Sequence, residues 1–240
     1  SRRQRQMCIR DSKEDLRPIF TGLLFEVSGN DVTVVGTDSF RLAMMEEKVN
    51  NETGDDFHVV IPVRALQELI GIVDEDAIIH ISVTKNQILF ESGDVQMTSQ
   101  LIKGEFPPYR AALPKAHTTH FDIDRTALKS SIERATLFGR DNSGTTVIRL
   151  NVEGGKLTIK TASERGQVNE ALDIYMEGDE VNILFNANFL TDALSKMHYD
   201  ALDVEMSGDL GPCVFKPKND ERYLLSLIHI SEPTRRSYIS

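Results

Sequence analysis

Apolar and polar residues alternate through Leu23, Phe25 and Val27, stop at Ser28-Gly29-Asn30-Asp31, and resume at Val32 and Val34. A period of two broken by a short glycine-containing connection predicts a β-hairpin. The pattern returns at Ile148, Leu150 and Val152, with Glu153-Gly154-Gly155-Lys156 as its connection and Leu157 and Ile159 beyond, each apolar position displaced by 125 residues. Further along, Ile61-Pro62-Val63-Arg64-Ala65-Leu66 is echoed by Phe185-Asn186-Ala187-Asn188-Phe189-Leu190 at an offset of 124. A repeat of this length is a duplicated domain, too large for a solenoid unit.

The first copy reads on as a strand over 41–49, a polar loop over 50–56 (NNETGDD) and a short buried strand over 58–61. Pro62 is expected in the first turn of a helix, where its missing N–H costs nothing, with Ala65, Leu66, Leu69, Ile70 and Val73 at helical spacing. Strands are expected over 78–83, 87–91 and 96–101. The second copy opens with a strand over 120–123 and Asp124 as N-cap. A helix follows, with Leu128, Ile132, Ala135 and Thr136 inward and its end near Gly139. Strands over 147–152, 156–161, 167–174 and 181–185 lead to a helix over 186–197 with Phe189, Leu190, Ala193, Leu194 and Met197 inward. Strands over 202–206, 213–216 and 222–225 finish the unit. The first copy is expected to lack its opening strand and most of its opening helix, with 12–16 as the expected remnant.

The chain has 240 residues and a net charge of −10, with 40% hydrophobic and 27% charged residues, an ordinary soluble composition. No apolar run reaches the ~20 residues of a membrane span, and no signal-peptide pattern opens the chain. Only Cys8 and Cys213 are present, which argues against a disulfide framework. A cytoplasmic protein fits, in which the Asn51-Glu52-Thr53 sequon carries no glycan. Residues 1–12 and 226–240 break the patterning of their neighbours and resemble adapter read-through. The expected organisation is therefore a foreign segment over 1–12, domains over 13–115 and 116–225 joined at Leu113-Pro114-Lys115-Ala116, and a second foreign segment over 226–240. These ends carry +3 and +1, leaving a body of −14. That charge argues against coating by nucleic acid through bulk electrostatics, though not against a local basic face.

Catalytic signatures are missing: no glycine-rich phosphate loop, no His-Glu-x-x-His, no Cys-x-x-Cys and no Gly-x-Ser-x-Gly. His58, His80, His117, His120 and His198 show no metal-ligand spacing, and the acidic stretches 73–76 and 177–180 read as solvated turns. Two strings stand out. Gly36-Thr37-Asp38-Ser39-Phe40-Arg41-Leu42-Ala43 makes a tight corner, yet it places apolar Phe40 and Leu42 in a connection. Gly104-Glu105-Phe106-Pro107-Pro108-Tyr109-Arg110 fixes an extended path through its prolines, readable as an inter-domain strap or as a ligand groove.

The repeat, these strings and their spacing together resemble the bacterial beta sliding clamps, the processivity subunits of the replicative DNA polymerase III. Thr37 to Ala43 is similar to that family's Thr-Asp-x-x-Arg-Leu-Ala motif. Phe106-Pro107-Pro108-Tyr109-Arg110 with Leu113-Pro114 is similar to its Phe-Pro-x-Tyr…Leu-Pro motif, and Tyr223-Leu224-Leu225 resembles the start of its C-terminal strand. The resemblance covers 13–225 and matches the second and third of three family domains. It implies an α+β fold of tandem clamp domains, each with antiparallel sheets outside and two helices on the inner, DNA-facing side. It further implies a ring around duplex DNA and no enzymatic activity, cofactor or metal. Its DNA-facing candidates are Arg64, Lys129, Arg134 and Lys196.

The family also has an apolar pocket between its second and third domains for the short motifs of polymerases, clamp loader and repair proteins. Carried over by position, its walls fall on Phe20, Thr37, Ser39, Phe40, Arg41, Leu42, Pro107 and Ala112, and on Asn186, Phe189, Leu210, Pro212 and Leu224. Ser226 onward replaces the family's final residues, and Ala111 and Ala112 are smaller than many members carry. Leu137 and Phe138 resemble the family's apolar dimer contact with the first domain of a neighbouring subunit. Without that first domain the chain is expected not to close a homodimeric ring alone. Two alternatives remain from the residues: a generic two-domain protein-interaction module without DNA encirclement, and an enzyme using Asp38, Arg41 and Asn186.

Overall fold

A computed structural model describes residues 17–139, 146–163, 166–220 and 222–228. The chain divides into two compact units, one formed by residues 1–112 with Asp220–Leu225, the other by Leu113–Asn219 with 226–240.

In the first unit, a 3-10 turn at Pro18–Thr21 leads into β1 (Gly22–Ser28), β2 (Asp31–Thr37), β3 (Arg41–Lys48) and β4 (Phe57–Pro62), followed by α1 (Val63–Ile72). A three-stranded sheet of β5 (His80–Val83), β6 (Gln87–Ser92) and β7 (Val95–Gln100) completes it. The second unit holds β8 (Thr119–Asp124), α2 (Arg125–Gly139), β9 (Val147–Glu153), β10 (Lys156–Ser163), β11 (Gly166–Asp173), β12 (Met176–Gly178) and β13 (Val181–Asn186). It continues through α3 (Ala187–Lys196), β14 (Ala201–Met206) and β15 (Cys213–Pro217). A last strand, β16 (Tyr223–Leu227), begins among residues that belong with the first unit.

The duplication holds at the level of individual pairs. Phe25 faces Val34 and Val27 faces Val32 across β1 and β2. Leu150 faces Ile159 and Val152 faces Leu157 across β9 and β10. Leu23 opposite Ile61 is matched by Ile148 opposite Phe185. Both hairpins turn through two residues. Gly154 and Gly155 each have positive φ, at 58° and 76°, as the right-handed twist of the strands demands of a two-residue turn.

Each core lies where a sheet meets its helices. Leu23, Val27, Val32 and Val34 form one cluster, with Phe57, Val63 and Leu66 packed on it. Ile61, Ala65, Leu69, Ile88 and Phe90 form another beneath α1. In the second unit Leu128, Ile132 and Ala135 of α2 and Leu190 and Leu194 of α3 are buried, and α2 packs on β9, β10, β11 and α3.

Several boundaries differ from the sequence reading. Pro62 ends β4 and precedes the helix instead of opening its first turn, because its backbone is still extended, with ψ of 132°. Leu66, Ile70 and Val73 are half-buried rather than buried, since a single ten-residue helix covers only a narrow stripe. The three-residue strand β12, which pairs Glu177 with His120, overlaps the first half of the 177–180 stretch expected to be a solvated turn. Strand β16 runs through Ser226 and Leu227, both buried, beyond the expected end of the pattern. Asp124 does cap α2, accepting from the Ala127 N–H at 2.6 Å. The expected remnant helix and the segment over 1–12 lie outside the described residues, as does the chain beyond 228.

The proline-rich string runs over its own unit. The Ile102 N–H donates to the Val60 carbonyl at 2.9 Å, and Tyr109 is buried with its hydroxyl donating to the Glu26 carboxylate. Arg110 donates to the same carboxylate at 3.0 Å. Burial opposes the charged form of Glu26, but the hydrogen bonds from Tyr109 and Arg110 outweigh it and hold the carboxyl below its usual range. Burial and the same carboxylate push the Tyr109 phenol up to about 12. A carboxylate whose folded pKa is depressed contributes stability above its unfolded pKa and loses it as pH falls through the folded value. Tyr109→Phe is therefore expected to cost ~1–2 kcal/mol in urea unfolding at pH 7. The deficit of Glu26→Gln should shrink as pH falls through the acid range. A deficit unchanged between pH 7 and pH 3 would refute the latch.

Candidate functional site

The corner between β2 and β3 is built by one carboxylate. Asp38 Oδ1 accepts the backbone N–H groups of Phe40 at 3.1 Å and Arg41 at 3.0 Å, while Oδ2 accepts Arg41 Nε at 3.0 Å. The Arg41 carbonyl accepts the Asp38 N–H at 3.2 Å and the Thr37 hydroxyl at 2.9 Å. The Asp38 and Arg41 side chains are only 4% and 6% exposed. A buried ion pair repays its desolvation only when further hydrogen bonds satisfy it, and here the turn's own backbone supplies them. Ser39 takes φ of 73°, the left-handed conformation that lets the chain reverse. The consequence falls on Phe40, which is 56% exposed although aromatic. Asp38 and Arg41, two of the three polar candidates of the enzymatic alternative, are thus the internal brace of this corner.

The other residues of the candidate peptide site lie as follows. Phe20 sits in the 3-10 turn that runs into β1, half-buried, with the Arg17 guanidinium 5.1 Å from its ring centre. Leu42, next to the corner, is buried in the core. Pro107 is half-buried and Ala112 exposed, and Leu224 lies half-buried in β16. In the second unit Asn186 caps α3, its side chain accepting the Asn188 N–H at 3.0 Å, and Phe189 follows half-buried in the first turn. Leu210 and half-buried Pro212 lie on the loop between β14 and β15, where Asp209 accepts the Asn182 N–H at 2.8 Å. Leu210 is 77% exposed.

The four basic candidates are not equivalent. Arg134 on α2 is held by the Glu170 carboxylate, with Nε 2.6 Å from Oε1, and also donates to Ser131 at 3.0 Å. The Glu170 partnership raises the Arg134 pKa and lowers that of Glu170. Lys129 lies 3.5 Å from Glu133, one helical turn on. Arg64 on α1 and Lys196 at the end of α3 are exposed and have no carboxylate partner among the described residues. Leu137 is 74% exposed, while the side chain of Phe138 lies outside the described residues. Sequence reasoning missed the Glu170 partner because it lies on β11, 36 residues from Arg134.

The chain thus presents two units of duplicated antiparallel sheets and short helices, with an exposed aromatic on a braced corner. Family comparison makes this specific. Residues 3–108 match the model of the DNA polymerase III beta subunit central domain, and 110–229 match that of its C-terminal domain. The chain belongs to the DNA polymerase III beta subunit family, the bacterial beta sliding clamps. It is 34% identical over 239 residues to the beta sliding clamp of Halalkalibacterium halodurans, covering 96% of this chain and 61% of that one. It is 32% identical over 213 residues to the beta sliding clamp of Staphylococcus aureus, covering 88% and 56%. The crystal structure of the Bacillus subtilis DNA polymerase sliding clamp superposes with a TM-score of 0.89 at 28% identity, covering 97% of this chain and 62% of that one. The chain thus spans about three-fifths of the length of the relatives it matches.

The braced corner generates a stability prediction. Asp38→Ala removes the carboxylate that accepts from the Arg41 guanidinium and from two backbone N–H groups in a buried corner, so it should cost ~3–5 kcal/mol. Ser39→Gly should be neutral or slightly stabilising, because glycine adopts positive φ without strain. Urea unfolding of the two variants checks both, and an Asp38→Ala cost below that of a surface substitution would dismiss the brace.

Proposed function

We propose that this chain is part of a DNA sliding clamp that encircles duplex DNA and serves as a docking platform for short peptide motifs of the replicative polymerase, the clamp loader and repair proteins. The observation that carries the reading is the order of the family matches, central domain followed directly by C-terminal domain over 3–229. On this reading the two clamp domains occupy 13–115 and 116–225, and the protein works in the cytoplasm. DNA is held through phosphate-directed, sequence-independent contacts, which lets a ring slide. Arg64 and Lys196 are the stronger DNA-facing candidates, since Lys129 and Arg134 already face carboxylates. Those same pairs favour the second reading, a protein-interaction module without DNA encirclement. The peptide-docking reading is supported by Phe40, an aromatic side chain held outward on a rigid turn, as anchoring residues in preformed sites are.

Fluorescence titration with a labelled Gln-Leu-containing clamp-binding peptide tests the docking site. Phe40→Ala alone is the informative variant, because Leu42 is buried in the core and its truncation would perturb the fold. Loss of the anchor should weaken the peptide about tenfold or more, corresponding to ~1–3 kcal/mol. An unchanged affinity would remove Phe40 and its corner from the site.

A further inference from the structure

Side chains with metal-binding chemistry meet on the paired strands β8 and β14. Asp122 faces Asp203 directly across the pair, and His120, two residues back on the same face of β8, lies diagonal to Asp203. One ligand atom from each of His120, Asp122 and Asp203 can be chosen so that all three lie within 4.8 Å of one another. Two carboxylates in directly opposed positions repel each other, and cross-strand like charges are destabilising unless something positive lies between them. The local compensation is incomplete. The Lys218 ammonium takes Oδ2 of Asp122. Asp203 Oδ1 is a buried oxygen without a hydrogen bond, although His120 Nε2 stands 2.8 Å away. At that distance the two groups form an ion pair whenever the imidazole is protonated. The nitrogen and the oxygen are also close enough to converge on one ion.

We propose that His120, Asp122 and Asp203 form a binding site for a divalent transition-metal ion of the zinc class. The donor set decides the class. One imidazole nitrogen with two carboxylates and no sulfur suits zinc and its neighbours, whereas magnesium and calcium take oxygen donors alone. Two carboxylates and a neutral imidazole also balance the charge of a divalent ion. Zinc–nitrogen and zinc–oxygen bonds are ~2.0–2.2 Å long, so drawing three ligand atoms onto one ion needs only small side-chain rotations on a fixed strand pair. Solvent reaches the cluster: the Asp122 side chain is 43% exposed, and the ring of His117, 44% exposed, lies 5.9 Å from that of His120. Lys218 is the built-in competitor, since its ammonium meets the same carboxylate that the ion would use. The bound ion would tie the first strand of the second unit to its neighbour.

The experiment is calorimetric titration of the full 240-residue chain, freed of metal by chelator, with zinc chloride alone. One site is expected, weakened at least about tenfold in both His120→Ala and Asp203→Asn. Lys218→Ala removes the competitor and should tighten binding several-fold, a gain that damaged folding would not produce. Melting curves in chelator confirm that the variants fold. Zinc binding unaltered by either ligand variant would assign it to side chains elsewhere in the chain and overturn the proposal. Equal or tighter binding of magnesium would overturn the assigned metal class, and failure of Lys218→Ala to gain affinity would remove Asp122 from the site.

Discussion

The structure depends on the register of one hairpin, used twice. Side chains on a strand alternate between faces, so a slip of a single residue would send every core position of that strand to the opposite face. Two-residue turns at Gly29-Asn30 and Gly154-Gly155 fix that register. Once Phe25 faces Val34, and Leu150 faces Ile159, the third strand and the helix of each unit have one apolar surface on which to pack. The pairs Leu23–Ile61 and Ile148–Phe185 then place α1 and α3 at corresponding points of the two units. The repeat in sequence is thus a repeat of contacts.

On this common frame the units diverge where polar groups are concerned. The β2–β3 corner of the first unit is closed by a buried ion pair saturated with backbone donors, so an aromatic side chain can be held outward without disturbing the core. Across one face of β1 and β4 the Tyr109–Glu26–Arg110 contact pins a segment that its prolines keep extended. The second unit carries its polar investment elsewhere, along β8, β14 and β15, where Lys216 reaches Glu205 and Lys218 reaches Asp122.

Much of this was legible from residue order, because hairpin alternation, turn glycines and N-caps act over a few positions. The Asp124 cap and the β1–β2 pairing are local in that sense. What escaped was set by tertiary pairing. Strand β12 has three residues and exists through its partner β8. The Glu170 partner of Arg134 and the meeting of His120 with Asp203 join residues distant along the chain, and no spacing rule reaches that far. The sliding-clamp motifs marked the β2–β3 corner as important, but not that Asp38 and Arg41 hold it shut while Phe40 stays outside.

Residues 220–225 belong with the first unit, although more than a hundred residues of the second unit separate them from its other elements. The Glu46 N–H donates to the Arg222 carbonyl at 2.7 Å, and the Arg222 guanidinium reaches Glu47, so β16 lies against β3. On the ribosome, the outer edge of β3 must wait until the second unit has been synthesised. The first unit can collapse early, but it acquires its last strand only from the far side of its neighbour's sequence. The order of translation therefore couples the completion of one domain to the making of the other.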